Sequence, residues 1–318
     1  MSKSNRLSLP AIFAVALIAV AVMAIIASLT LRKPVIVERS PIETHRPNLE
    51  IMTIAHRGAL KFAPENTLPA IEKAIELGFD YVEMDIKYTG DDIPIVIHDQ
   101  WVDRTTDGVG DIGEMTLEQI KALDAGSWFG PAFAGTKIPT LEEALQTAQG
   151  KICVFWDTKG FPRESVIDLF KKYGFDRECL LISFGGLGMG GTNDAPDRIV
   201  KLLPTAPLVP VVRTIEEITE ILAEYPNIRG IWIPIGRVTP ELVDFAHAQG
   251  LLVGSTTLAQ RDHHHNYRKL IDNGVDIFML DHIDIFQNYL KTGDMETPTP
   301  DLLRPYAEIV NNRQSDDE

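Results

Sequence analysis

The 318-residue chain carries 30 Lys and Arg against 45 Asp and Glu, a formal charge of −15. That balance excludes a nucleic-acid partner, whose phosphate backbone needs a basic face, and leaves an acidic surface or carboxylates gathered round a cation. Two cysteines make no disulfide framework, and Cys153, in an apolar strand-like run, reads as core.

At the amino end, Leu7 to Leu31 contain no charged side chain. A helix of that length covers a hydrocarbon core of about 30 Å. A cleavable signal peptide would have a shorter apolar region ending in a small-x-small site. The best candidate for such a site, Val22-Met23-Ala24, falls inside the run, so residues 1–33 are expected to be an uncleaved transmembrane anchor, with the large domain outside the cytoplasm. Charge does little to fix the orientation, because Lys3 and Arg6 on one flank face Arg32, Lys33 and Arg39 on the other. Residues 34–48 read as a linker, 49–292 as one catalytic domain and 293–318 as a mobile tail. No internal repeat is evident.

Within the domain, apolar β-branched runs alternate with amphipathic segments that open near Thr, Pro or Asp. Strands are expected at Ile51–Ala55, Tyr81–Ile86, Ile152–Asp157, Cys179–Phe184, Pro207–Val212, Gly230–Ile235, Leu251–Thr256 and Asp276–Leu280. Helices are expected at Thr67–Leu77, Leu141–Ala148, Arg163–Tyr173, Thr214–Glu224, Thr239–Ala248 and His265–Asn273. This alternation implies parallel βαβ units, and eight of them imply an α/β fold of the (β/α)₈ TIM-barrel type. One run breaks the pattern. Ile93–Ile97 follows the second strand after only Tyr-Thr-Gly-Asp-Asp, too few residues for a parallel crossover, so it should return antiparallel as a hairpin. Residues from about 99 to 139, with one helical patch at Thr116–Leu123, then form a small insertion over the barrel rim.

A barrel of this kind assembles its active site at the carboxyl ends of its strands. The first strand ends in His56, Arg57 and Gly58, the glycine allowing a tight exit. Glu83 and Asp85 lie two apart on the second strand and therefore share a face. Their charge is costly inside a barrel unless a cation compensates it. Asp157 and Lys159 repeat the spacing on the next barrel strand. Three carboxylates from neighbouring strands suit Mg²⁺ or Ca²⁺. Arg57 and Lys159 suit a phosphate, and His56 and His98 supply groups that titrate near neutrality. Together these point to cleavage of a phosphodiester.

The same residues resemble the glycerophosphodiester phosphodiesterases. The match runs from "AHRGALKFAPENTLPAIEKAIELGFDYVEMDIKYTGDDIPIVIHD" through "VDRTTDGVGDIGEMTLEQIKALDAGSWF" to "IPTLEEAL", close over about residues 51–148 and loose beyond. The resemblance implies a (β/α)₈ barrel and metal-assisted hydrolysis of a glycerol phosphodiester to an alcohol and glycerol phosphate. His56 and His98 would be the acid–base pair, Arg57 a phosphate ligand, Glu83 and Asp85 metal ligands, and Glu65 and Asn66 supports. Three places depart from the family pattern. Asp157-Thr158-Lys159 replaces Glu-x-Lys, although the related sphingomyelinase D enzymes also use Asp there. Gly254-Ser255-Thr256-Thr257 replaces Trp-Thr-Val-Asn, which removes an expected aromatic wall, and Leu280-Asp281-His282-Ile283 replaces Thr-Asp-x-Pro.

Gly185 to Gly191 reads as a connector in preference to a phosphate cradle, and His263-His264-His265 as a solvated helix start in preference to a metal site. Beside hydrolysis of glycerophosphodiesters stand two other readings: a lysophospholipid or sphingolipid phosphodiesterase, and a non-catalytic barrel that binds headgroups. The partners expected are a small or lipid-derived phosphodiester and the membrane, through the amino-terminal helix.

Overall fold

The computed structural model describes residues 51–158, 162–175, 179–185, 195–225, 228–258 and 261–292. The expected anchor, linker and tail, and Lys159, lie outside them. Among the described residues no helix is long and apolar enough to cross a membrane.

Eight parallel strands form the sheet: β1 (Met52–Ala55), β2 (Tyr81–Tyr88), β4 (Cys153–Asp157), β5 (Leu180–Phe184), β6 (Leu208–Pro210), β7 (Gly230–Trp232), β8 (Leu252–Thr257) and β9 (Ile277–Leu280). Their spatial order is β6-β5-β4-β2-β1-β9-β8-β7. The two ends meet through a parallel bridge from Val211 to Trp232, and the Val212 N–H donates to the Trp232 carbonyl at 2.9 Å. The sheet is therefore a nearly closed barrel. The short run expected to turn back does so: β3 (Pro94–Val96) pairs antiparallel with β2, Ile86 opposite Val96.

Strand alternation divides the core into two layers. Ile54, Tyr81, Phe155, Leu181, Val209 and Ile277 fill the barrel interior. Val82, Met84, Val154, Trp156, Leu180 and Ile182 face outward beneath the helices. On the inward face of β2 the pattern changes from Tyr81 to Glu83 and Asp85, so the barrel is apolar below and acidic at its carboxyl-terminal mouth.

The helices are α1 (Leu68–Glu76), α2 (Leu117–Ala122), α3 (Leu141–Ala148), α4 (Glu164–Lys172), α5 (Ala195–Leu202), α6 (Ile215–Glu224), α7 (Pro240–Ala248), α8 (His264–Asp272) and α9 (Ile283–Thr292). Local chemistry starts several of them. Thr140 and Glu143 form a reciprocal capping box at α3, and Thr116 with Gln119 does the same at α2. Helices α5 and α9 were absent from the sequence-based expectation. One carries a proline at its second position, and the other follows the last strand where no further βα unit signals it. The insertion has its own small core of Val102, Ile112, Ile120, Ala125 and Ile138, seated on Ile95 and Ile97 from the hairpin.

The cysteines correct the sequence reading. Cys153 and Cys179 form a disulfide. Parallel pairing of β4 with β5 brings the start of one strand beside the residue preceding the other, and the Val154 N–H donates to the Cys179 carbonyl at 3.0 Å. Sequence gave no hint of this register.

Candidate active site

A cavity of about 200 Å³ opens at the carboxyl ends of the strands, and His56, Arg57, Glu83, Asp85, His98 and Asp157 all line it. One carboxylate oxygen from each of Glu83, Asp85 and Asp157 lies within 4.8 Å of the others. The register accounts for this, because Asp85 of β2 lies directly opposite Asp157 of β4. Glu83 and Asp85 are buried, 3% and 0% exposed. Crowded like charges in a low-dielectric pocket call for positive charge, and an all-oxygen donor set fits a hard divalent cation. The expectation of an Mg²⁺- or Ca²⁺-type site thus fits the residues present.

The protein supplies part of that positive charge itself. Arg57 leaves β1 with φ +50° and Gly58 follows at +78°. A Cβ on Gly58 would lie 2.6 Å from the Ala70 Cβ, so this sharp exit requires glycine. The turn aims the Arg57 N–H at Glu83 Oε2, 2.6 Å away. Its guanidinium donates to Glu65 Oε1 at 2.9 Å, and Nε lies 3.7 Å from Asp85 Oδ2. Burial works against the Arg57 charge, but the carboxylates of Glu65, Asp85 and Glu83 outweigh it and raise its pKa. Asn66, also at positive φ, donates from Nδ2 to Asp85 Oδ2 at 2.8 Å. Glu65 and Asn66 therefore sit directly behind the acidic cluster.

Each imidazole is backed by a carboxylate. His56 Nδ1 lies 2.8 Å from Asp281 Oδ1, and His98 Nδ1 lies 2.6 Å from Asp99 Oδ1. A carboxylate at Nδ1 fixes ring orientation and tautomer, leaving Nε2 for proton transfer. Asp99 is well below the usual carboxylate range, first through its hydrogen bond with His98; burial opposes this, and the Arg104 hydrogen bond and charge add to it. Arg104 Nε donates to Asp99 Oδ2 at 2.5 Å. Its NH1 and NH2 reach Glu65 Oε2 and Oε1 at 2.8 and 2.7 Å. Burial pushes Glu65 up, yet the bonds and charges of Arg104 and Arg57 hold it below its ordinary pKa. A continuous network thus runs from His98 through Asp99, Arg104, Glu65 and Arg57 to the acidic cluster.

Sequence reasoning gave no individual role to Asp99, Arg104 or Asp281. A signal existed for the last, since Asp281 directly follows β9 and a barrel of this kind carries its site residues at strand ends. Its pairing with His56 spans 225 positions, which no local pattern shows. The missing aromatic wall also needs correction. Trp232 from β7 lines the cavity and packs on Phe155 with ring centroids 5.1 Å apart. It lies so close over Gly254 that a Cβ there would be 2.2 Å from Trp232 Cζ3. The space that a side chain at position 254 would need is the space into which Trp232 packs. Of the expected Gly-rich connector only Gly185 is described. His263 precedes α8 and its ring packs against His264 and His265. Among the described residues, only Glu83, Asp85 and Asp157 form a cluster able to hold a metal.

A parallel eight-stranded barrel with acids, a guanidinium and two carboxylate-backed imidazoles at one mouth is suited to the hydrolysis of phosphoric diesters. The sequence pattern of the glycerophosphoryl diester phosphodiesterase family matches residues 56–285, and the chain belongs to that family. It is 33% identical over 253 residues to a glycerophosphodiester phosphodiesterase from Caldanaerobacter subterraneus, covering 77% of this chain and all of that one. A Bacillus subtilis relative is 44% identical over 136 residues, which cover 41% of this chain and 56% of its own length. The crystal structure of an Oleispira antarctica phosphodiesterase, in complex with the product sn-glycerol-3-phosphate, superposes with a TM-score of 0.65 at 28% identity, covering 76% of this chain and 97% of that one.

Proposed function

We propose that the chain hydrolyses glycerophosphodiesters to an alcohol and glycerol phosphate in lipid or glycerol metabolism, assisted by a divalent cation held by Glu83, Asp85 and Asp157. The observation that carries this reading is the gathering of three carboxylates within 4.8 Å in a cavity that both imidazoles line. When bound, Mg²⁺ or Ca²⁺ supplies Lewis-acid polarisation of the phosphoryl oxygens. Arg57, and in this reading Lys159, bind the phosphate. One of His56 and His98 takes a proton from the attacking oxygen and the other gives one to the departing alkoxide as the P–O bond breaks, with Asp281 and Asp99 holding the rings in line. The product bound by the Oleispira neighbour supports glycerol phosphate as product. The test is turnover of glycerophosphocholine by the full chain with Mg²⁺ and Ca²⁺ supplied separately. Chelation should abolish it, and activity indifferent to chelator would remove the cation from the scheme.

A second reading keeps the chemistry and enlarges the substrate to an acylated diester. Phe155, Val211, Trp232, Pro234, Leu258 and Met279 form an apolar side of the same cavity, more than glycerol needs. Turnover confined to acylated diesters would select this reading. The reading extends to location: Leu7–Leu31 anchors the chain in a membrane with the barrel on the extracytoplasmic side. The Cys153–Cys179 disulfide supports this, because such bonds persist in oxidising compartments.

A further inference from the structure

Asp262 lies between β8 and α8, outside the cavity, and is 6% exposed. Its Oδ2 accepts the backbone N–H groups of Asp281 and His282 at 2.8 and 2.6 Å. Its Oδ1 accepts the Thr257 hydroxyl at 3.1 Å and the Tyr267 hydroxyl. The carboxylate is thus clamped to the end of β8 and to α8, and with its other oxygen fixes the turn between β9 and α9. Tyr267 is itself fully buried, packed against Phe286 with centroids 5.0 Å apart.

The turn that Asp262 holds is the one that presents Asp281 to His56. β9 pairs with β1 so that Leu280 lies opposite Ala55, and the His56 N–H donates to the Leu280 carbonyl at 3.3 Å. Beyond that point the strand pairing ends. The direction of the Asp281 side chain then depends on the two N–H bonds to Asp262. Resting on the reading of His56 as a proton-transfer group, we infer that Asp262 is a positioning residue for His56, acting through the Asp281 backbone to hold the Asp281 carboxylate against the imidazole.

A neutral amide could accept at only one of the two oxygen positions, since its nitrogen donates, so a carboxylate is needed to accept from all four donors. Burial pushes Asp262 up to about 6; the Tyr267 bond opposes the rise and the Asp281 charge adds to it. Lys61 approaches the pair from the loop after β1. Burial lowers its pKa, and the charges of Asp281 and Asp262 act the other way. Asp262 ionised beside Asp281 makes the latter a stronger partner for a protonated imidazole.

The test is a double-mutant cycle on the full chain with glycerophosphocholine, each variant checked for an unaltered melting transition. Asp262→Asn is expected to lower kcat ~10-fold with KM changed less than about twofold, the scale of a slightly misplaced catalytic group. In an Asp281→Asn background the same change should cost less than about twofold more, because the route to His56 is already cut. Tyr267→Phe keeps the ring packing and removes one clamp; it should show the same non-additivity at smaller size, and it decides the matter if Asp262→Asn does not fold. Independent, multiplying losses in kcat, or a rise in KM alone, would overturn the inference. His56→Ala serves as the control: if it leaves turnover intact the acid–base reading fails, whereas an inactive His56→Ala beside an additive cycle sinks only the role of Asp262.

Discussion

The two sides of the barrel mouth are built to different plans. The side made by β1, β2, the hairpin and β4 carries His56, Arg57, Glu83, Asp85, His98 and Asp157, with Arg57 bonded to Glu83 and Glu65 and Arg104 bridging Glu65 to the Asp99 that backs His98. The opposite side, from β6 to β9, offers mostly apolar surface in Val211, Trp232, Pro234 and Met279, and Asp281, which backs His56. On the function proposed above, the reaction is set by one half of the barrel and the fit of the alcohol by the other. Apart from Asp157, the charged side comes from residues 51–148, the stretch in which the resemblance to the family motifs is close.

If that division is right, a change on the charged side should slow every diester alike. The largest effect is expected for His98→Ala, with kcat reduced about 10²- to 10⁴-fold on glycerophosphocholine and on acylated diesters, measured by release of the free alcohol. A loss restricted to one substrate class would place His98 in recognition and not in the shared chemistry.

Arg104→Gln is expected to have a smaller effect, ~10-fold on kcat, because Arg104 acts at one remove, through Asp99 on His98 and through Glu65 on Arg57. It carries a pH signature. Glu65 and Asp99 both sit below their ordinary pKa in the fold, so the stability they lend is present above the usual carboxylate range, about 4. It is lost as pH falls through their depressed folded values. In Arg104→Gln those depressions shrink, and the melting temperature should drop at pH 7.5 yet fall less steeply than the parent's below about pH 5. Parallel curves for the two proteins would show that Arg104 does not govern these carboxylates.

Much of this was open to reading in the sequence, for a physical reason. Parallel barrel strands are short apolar runs flanked by helices with their own caps, and a period of two puts Glu83 and Asp85 on one face without reference to the rest of the chain. The hairpin followed from loop length alone. What escaped was settled by pairing between distant segments: Asp281 against His56, Arg104 bridging Glu65 and Asp99, and Cys153 joined to Cys179. Trp232 escaped for another reason. Its ring sits where it does because Gly254 on the neighbouring strand has no side chain, so neither residue reveals the role without the other.

That exchange makes Trp232→Leu the sharpest probe of the apolar side, with the smallest expected effect. Leucine keeps an apolar filler while removing the ring, its contact with Phe155 and the Nε1 hydrogen bond to Thr256 Oγ1 at 3.1 Å. For acylated diesters KM should rise about three- to tenfold, the worth of roughly 1 kcal/mol of lost aromatic contact. For glycerophosphocholine kcat should stay within about twofold, since no charged group moves. Thermal melting distinguishes the alternative, in which the smaller side chain loosens β7 against β6 near the Val211–Trp232 bridge. In that case both substrates would suffer together and the melting temperature would fall with them. A selective rise in KM would instead assign choice of the alcohol to this wall and leave the reaction to the opposite one.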